Sequence, residues 1–283
     1  MLVYDKMGDR CFMKYIRFIH ENTGISIPEN RRSMLISRIR KRLRKLTIPN
    51  YRCYFKLIEK DKEEKKFFIN LITTNETYFY RTPRIWDFIE NDFLKKKCEG
   101  QSRLVNIWSA AASTGEEAHM LGILCENFKD NHPNFYYKIM GTDISSAVIE
   151  KAIKGKYSGR SVKRFKEARW SLFQKYMVGN ENLGYQVLPE IKKNIHFKVH
   201  NLFNVLSESQ KFDLILLRNV LIYFSKIDRE KVLAKLHKKL SQNGYLIIGE
   251  SESLNALNSN FESVSPLIYR FKNNIINKEL VQV

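Results

Sequence analysis

The sequence is poor in the residues that would tie it to a secreted, membrane or metal-bound life. It has four cysteines in 283 residues, Cys11, Cys53, Cys98 and Cys125, widely spaced and without a CxxC pair. That spacing excludes a disulfide framework and fits reduced thiols in a cytoplasmic protein. No apolar run approaches the roughly 18 residues of a membrane span, so no membrane insertion is expected. The first ten residues carry Asp5 and Asp9 and no apolar stretch behind a basic patch, unlike a secretion signal. His196 and His200 stand four apart in a strand-like stretch with no acidic or cysteine companion, and no metal site is expected there. Internal repeats and low-complexity tracts are absent too.

Acid is also scarce. Lys and Arg number 49 against 30 Asp and Glu, a net charge of +19, which favours an anionic partner. The excess is uneven: residues 1–66 hold 18 bases and 8 acids.

Two halves follow different rules. In the first, apolar residues recur at helical spacing over Arg10 to Asn22, Arg31 to Leu46, Tyr51 to Glu59 and Glu63 to Thr73, predicting a small all-α domain. Its second helix pairs an apolar stripe (Leu35, Ile39, Leu43, Leu46) with eight bases and no acid. From about Leu104, strands alternate with helices. Strands are predicted at Leu104 to Ser109, Tyr136 to Gly141 (ending at Asp143), Ile195 to Val199, Phe212 to Leu217 and Tyr245 to Gly249. Helices lie between them at Glu116 to Phe128, Ala147 to Ile153 and Asp228 to Leu240, and Phe261 to Val264 with Leu267 to Phe271 form a closing antiparallel pair. This alternation implies a mostly parallel, doubly covered sheet of the Rossmann-like α/β class. Gly155 to Lys193 breaks it and reads as a small inserted subdomain of short β-like pieces, centred near 170–194.

In such a sheet, ligands bind beyond the carboxyl ends of the strands. The turn after the first strand, Ser109 to Gly115 (SAAASTG), is built of small residues that let backbone approach a ligand. It lacks GxGxxG, and no lysine follows Gly115, which excludes a P-loop. Asp143 ends the second strand, where a carboxylate can accept both hydroxyls of a ribose; the competing reading is a helix cap before Ser145. Arg218 to Phe224 follows the fourth strand over the same crevice. The arrangement is nucleoside-binding in general.

Six stretches resemble the chemotaxis receptor methyltransferase (CheR) family. They are RRSMLISRIRKRL (Arg31 to Leu43), LITTNETYFYR (Leu71 to Arg81), WSAAASTGEE (Trp108 to Glu117), GTDI (Gly141 to Ile144), FDLILLRNVLIYF (Phe212 to Phe224) and GESESL (Gly249 to Leu254). The resemblance implies an all-α domain over 1–74, a linker over 75–95 that contributes to the active site, and an S-adenosylmethionine-dependent methyltransferase domain over 96–283 carrying the inserted β-subdomain. It implies that Asn75, Thr77 and Arg81 reach the cofactor and that Glu117 lies beside its methionine or sugar. Asp143 takes the ribose, Asn201, Leu202, Arg218 and Asn219 line the adenine and methionine side, and Arg81 and Tyr223 stand nearest the transferring methyl. Tyr80 and Glu250 are minor departures from the family pattern.

The implied reaction is methylation of glutamate side chains in the cytoplasmic domains of methyl-accepting chemotaxis receptors, by a monomer without a metal. A glutamate carboxylate, with a pKa near 4.3, is ionised at pH 7 and needs no general base. That agrees with a site rich in Arg, Asn, Asp and Tyr and lacking an obvious His–Asp or Cys–His pair. Arg81 has the alternative of an interdomain salt bridge, and Tyr223 that of a packed aromatic. The basic second helix, through Arg38, Arg42 and Lys45, is expected to dock acidic receptor helices, its alternative being a solvated face. The short turn from Gly179 to Gly184 predicts that no receptor tail peptide is gripped. Nucleic acid is not an expected partner: no Pro-Pro loop follows the fourth strand, and no cysteine follows a proline.

Overall fold

The computed structural model describes residues 7–98 and 104–272. Helices α1 (Asp9–Thr23), α2 (Arg32–Leu46), α3 (Tyr51–Lys60) and α4 (Lys62–Ile72) make the first unit. Each is written by its apolar spacing and its caps. Phe12, Tyr15 and Ile19 bury one face of α1, and Gly24, at φ 71°, ends it in the left-handed conformation that glycine tolerates. Asn50 caps α3 by accepting from Cys53 N–H, and the Asp61 carboxylate accepts from Glu63 and Glu64 N–H at the start of α4. Leu35, Ile39, Tyr54, Ile58 and Phe68 close a core separate from that of the sheet. Each such side chain contributes roughly 1.5–3 kcal/mol by leaving water.

The extended stretch after α4 runs into α5 (Pro83–Phe88), a π-turn (Ile89–Phe93) and α6 (Leu94–Cys98). The second half of the expected linker is therefore helical, and Ile85, Trp86, Ile89, Phe93 and Leu94 bury it in the core of the sheet.

The main unit follows as β1 (Leu104–Ser109), α7 (Glu116–Lys129), β2 (Tyr136–Asp143) and α8 (Ser146–Lys154). Then come β3 (Lys156–Tyr157), α9 (Arg160–Ala168), α10 (Trp170–Tyr176), β4 (Met177–Asn180), β5 (Gly184–Val187) and α11 (Pro189–Lys192). β6 (Ile195–Val199), β7 (Phe212–Leu217), α12 (Lys226–Lys239), β8 (Leu240–Ile248), β9 (Phe261–Ser265) and β10 (Ile268–Phe271) complete it. The seven-stranded sheet has the order β6-β2-β1-β7-β8-β10-β9. Its first five strands are parallel, and β10 pairs antiparallel with both β8 and β9. The chain moves outward from β1 through β2 to β6, then returns to the other side of β1 at β7. The strand order reverses there, leaving a crevice between the carboxyl ends of β1 and β7.

The insert departs from the sequence reading in part. The expected small β-unit is present as a three-stranded sheet, β3-β5-β4, but two helices, α9 and α10, are added between β3 and β4. Val162 and Phe165, three apart and buried, are the helical signal that Gly155 and Gly159 on either side of β3 obscured. No helix among the described residues is long and apolar enough to cross a membrane.

Candidate active site

One cleft of about 1140 Å³, counting the solvent at its mouth, opens at that switch point. Asn75, Thr77, Arg81, Glu117, Asp143, Asn201, Leu202, Arg218, Asn219 and Tyr223 all line it. They come from the linker, the start of α7, the end of β2, and the segments that follow β6 and β7.

Asp143 is buried at the end of β2. Its Oδ2 accepts from Ser113 N–H at 3.0 Å and its Oδ1 from Ser145 N–H at 3.0 Å. The cap reading is thus present too: the carboxylate holds the small-residue turn to the start of α8 while lining the cleft. Burial raises its pKa above the ordinary carboxylate range, against the opposing pull of the backbone N–H groups of Ser145, Ser113 and Ile144.

Arg218 is the hub of the linker wall. Its guanidinium donates to Glu117 Oε2 (3.0 Å), Arg81 O (3.0 Å) and Thr82 Oγ1 (2.9 Å), and it lies over the Trp86 ring. Ser109 Oγ donates to the other oxygen of Glu117 at 2.7 Å. Arg218 Nε is buried without a partner. The side chain thus spends most of its donors on protein, joining linker, α7 and β7. Asn201 is similarly engaged: its amide N donates to Asn22 O at 2.9 Å and its amide O accepts from Phe203 N–H at 3.0 Å.

Arg81 is left free by comparison. It meets Glu76 O at a marginal 3.4 Å and has no carboxylate partner among the described residues, which removes the interdomain salt bridge from its alternatives. Tyr223 is half-buried, with Arg31 over its ring at 5.5 Å. Strain gathers around the same groups. Tyr80, Thr82, Ser113 and Asn219 all adopt φ between 49° and 62°, and all but Tyr80 line the cleft or hydrogen-bond to a residue that does. Non-glycine residues are held there only when surrounding contacts dictate it.

Beneath the turn lies a buried relay. Tyr157 O–H donates to Thr114 O at 2.7 Å, and His119 Nδ1 is 2.8 Å from the same phenol. With the phenol proton on Thr114 O, Nδ1 must carry the ring proton, leaving His119 Nε2 as a buried lone pair without a partner. Burial, helped by Lys192, holds the His119 pKa down to about 3.

Several wall residues lie outside the sequence reading. Thr23, Ile25, Ile27, Arg31 and Met34 bring the helical domain to the cleft, and His200 lines it beside Leu202. The domain is held there by Ser26 N–H to Tyr223 O (2.8 Å), by Asn201, and by a hydrogen bond between His20 Nε2 and Asp228 Oδ2 (2.8 Å). Gly24 was legible only as a helix stop, yet a Cβ there would meet the Phe203 ring at 2.0 Å. Glu252 was read only as part of a matching stretch. Its carboxylate accepts from Asn219, Leu221 and Gly249 N–H, shaping the loop that carries Tyr223.

The basic helix α2 differs from its expectation in one respect. Glu64, from α4, supplies the acid it lacks: Arg42 Nε donates to Glu64 Oε1 at 2.8 Å, and its guanidinium lies 3.5 Å from the centroid of Phe67. Arg38 donates to Leu71 O and Thr73 O. Lys45 stays exposed. Among the described residues no group of three or more His, Cys, Asp or Glu could hold a metal ion.

The donor set suits a nucleoside with an attached amino acid: a buried acid at the end of β2, a small-residue turn and a polar linker wall. Comparison with known sequences is specific. "CheR methyltransferase, SAM binding domain" matches residues 75–269 and "CheR methyltransferase, all-alpha domain" residues 12–73. The chain is similar to a chemotaxis protein methyltransferase of Borreliella burgdorferi, 32% identical over 91% of this chain and 92% of that one. It also matches one from Listeria innocua (30% identity over 87% and 91%) and one from Escherichia coli (27% over 93% and 91%). With both domains matched in order and a cleft at their junction, the chain belongs to the CheR family of S-adenosylmethionine-dependent chemotaxis protein methyltransferases.

Proposed function

We propose that this enzyme transfers the methyl group to glutamate side chains of chemoreceptor cytoplasmic domains, giving glutamyl methyl esters and S-adenosylhomocysteine. The observation that carries the reading is the convergence of ten side chains, from segments up to about 150 residues apart, on one crevice at the switch point. S-adenosylmethionine supplies, when bound, a methyl already activated by its sulfonium.

The protein's own share is binding, alignment and exclusion of water. Asp143 is placed to accept the ribose hydroxyls, and Asn75, Thr77, Asn201 and Leu202 to wall the nucleoside. Glu117 and Asn219 face the amino-acid end. Arg218, with its donors committed to Glu117 and the linker, sets the shape of that end. Arg81 and Tyr223 orient the incoming carboxylate at the mouth. An ionised carboxylate gives up no proton, so no general base is needed; His119, buried and bonded to Tyr157, is not one. Lys45 remains available to an acidic receptor helix, while Arg38 and Arg42 act by holding α2 to α4. The chain works as a cytoplasmic monomer and requires no receptor tail peptide.

The test uses tritiated S-adenosylmethionine with receptor-containing membranes. A carboxylic methyl ester releases its label as volatile methanol in brief alkali, whereas N-methyl or base-methyl products retain it. Arg81→Ala should cut the volatile count at least tenfold and change cofactor affinity far less. Alkali-stable label, or label that travels with RNA, sinks the proposal.

A further inference from the structure

The cations of the helical domain differ in what holds them, and Lys41 and Lys45 on α2 stand exposed. On α2, Arg32 pairs with Asp9 and Glu29, Arg38 with carbonyls, Arg40 with the Tyr51 hydroxyl and Arg42 with Glu64. Elsewhere on the domain, α1 and α3 flank an open groove enclosing about 1790 Å³, solvent at its mouth included. Arg10, Lys14 and Arg17 stand along α1, and Arg52 and Lys56 along α3. All five are exposed, and none makes a side-chain hydrogen bond or ion pair with another described residue. Arg10, Lys14 and Arg17 are spaced i, i+4, i+7, and Arg52 and Lys56 i, i+4. Each helix therefore presents one basic stripe to the groove.

Between the stripes the floor is apolar. Phe18 and Phe55 pack edge to face at 5.6 Å, and Met13 is 59% exposed beside them. Among the described residues that line it, only Glu21 and Glu59 bring negative charge. Like charges held together around exposed apolar surface are unfavourable without a partner, and both features are relieved by one kind of ligand.

We propose that the α1–α3 groove docks an acidic amphipathic helix, its apolar stripe on Met13, Phe18 and Phe55 and its carboxylates on the two basic stripes. α1 is 15 residues long, about 22 Å, so it can flank roughly four turns of a partner helix. Thr23, at the carboxyl end of the same helix, lines the active cleft, so α1 contributes to both the groove and the cleft. A single-stranded nucleic acid fits less well, because Phe18 and Phe55 are half-buried and packed on each other rather than offered for stacking. The proposal rests on the receptor reading only for the identity of the natural partner.

The experiment uses the full chain and a fluorescent synthetic peptide of about four turns, with a leucine stripe flanked by glutamates at i, i+4 and i+7 spacing. A second peptide carries lysine at every glutamate position. The acidic peptide should bind with an affinity that falls as salt rises, and the basic one should not bind. Arg10→Glu/Lys14→Glu/Arg17→Glu should weaken binding at least tenfold, Met13→Asp several-fold, and the exposed α6 pair Lys95→Glu/Lys96→Glu less than twofold. Unchanged S-adenosylmethionine affinity verifies that each variant is folded. Equal binding of both peptides, wild-type binding by the α1 triple variant, a larger loss from the α6 pair, or displacement by an equal concentration of oligouridylate would each overturn the groove. Loss of alkali-labile receptor label with peptide binding intact would count against the receptor reading instead.

Discussion

Two faces of the helical domain carry similar charge and use it differently. On α2, the guanidinium groups of Arg32, Arg38, Arg40 and Arg42 are tied to carboxylates, carbonyls and a phenol of their own domain. On α1 and α3, five cations of equal sign stand exposed around an apolar floor. A run of bases in sequence shows where charge is concentrated. Whether that charge faces outward depends on what the next helix places opposite, and Glu64 lies 22 residues beyond Arg42. The densest run is therefore partly scaffold, and the sparser one is free.

The comparison breaks most visibly at Arg42. Its side chain and that of Glu64 are only 12% and 8% exposed, and Tyr54 O–H donates to the same carboxylate at 2.7 Å. Arg42→Ala leaves that acid buried and unpaired and should cost about 3 kcal/mol of unfolding free energy. Replacing Arg10, Lys14 and Arg17 together by Gln should stay within about 0.5 kcal/mol per site, as exposed positions do. Urea unfolding decides it: equal losses in the two variants would erase the distinction. Slowed methylation in Arg42→Ala then has to be corrected for lost fold before it speaks of docking.

Much of this organisation was legible before any coordinates. β1, β6 and β7 were bounded to the residue, because a short β-branched run between turns and helices has few other readings. The four helices of the first domain followed from apolar spacing. What escaped is physically consistent: α9 and α10 are short, with only two and three buried residues each. The helical half of the linker hides its period at a π-turn, where the spacing slips. In the cleft, the residues on strand ends were found through motif and topology. Thr23, Ile25 and Ile27 were missed, since their place depends on how one domain sits on another. The signal was Gly24, whose missing side chain makes room for Phe203.

A second contrast, smaller in effect, sets the cleft's buried acid against free surface charge. Asp143 must be ionised to accept two hydroxyls, yet burial raises its pKa. S-adenosylmethionine affinity should therefore be full above the raised pKa and fall as pH drops through it, beginning above the range of an ordinary aspartate near 3.9. The stability of the free enzyme should move oppositely through this group, because the folded state then binds more protons than the unfolded one. Asp143→Asn should weaken affinity about 100-fold, some 2.7 kcal/mol, and flatten the acid limb. Calorimetry showing wild-type affinity in the variant would take Asp143 out of the site.

The mildest expected effect lies in His119, a charge the fold refuses to allow. Its pKa is held to about 3 by burial, against about 6.5 in an unfolded chain. Between those values the unfolded state binds the extra proton, so stability is fully present above pH 6.5 and drains as pH falls. The slope from this one group approaches about 1.4 kcal/mol per pH unit below 6. His119→Gln keeps a donor for Tyr157 and removes the titration. Urea unfolding from pH 7 to 5 should show wild type losing stability against this variant by that slope. The same variant should alter S-adenosylmethionine affinity only through the Thr114 turn that Tyr157 supports, and equally at every pH. Parallel stability curves for the two proteins would mean that the buried imidazole takes up its proton in the folded state and finds a partner there.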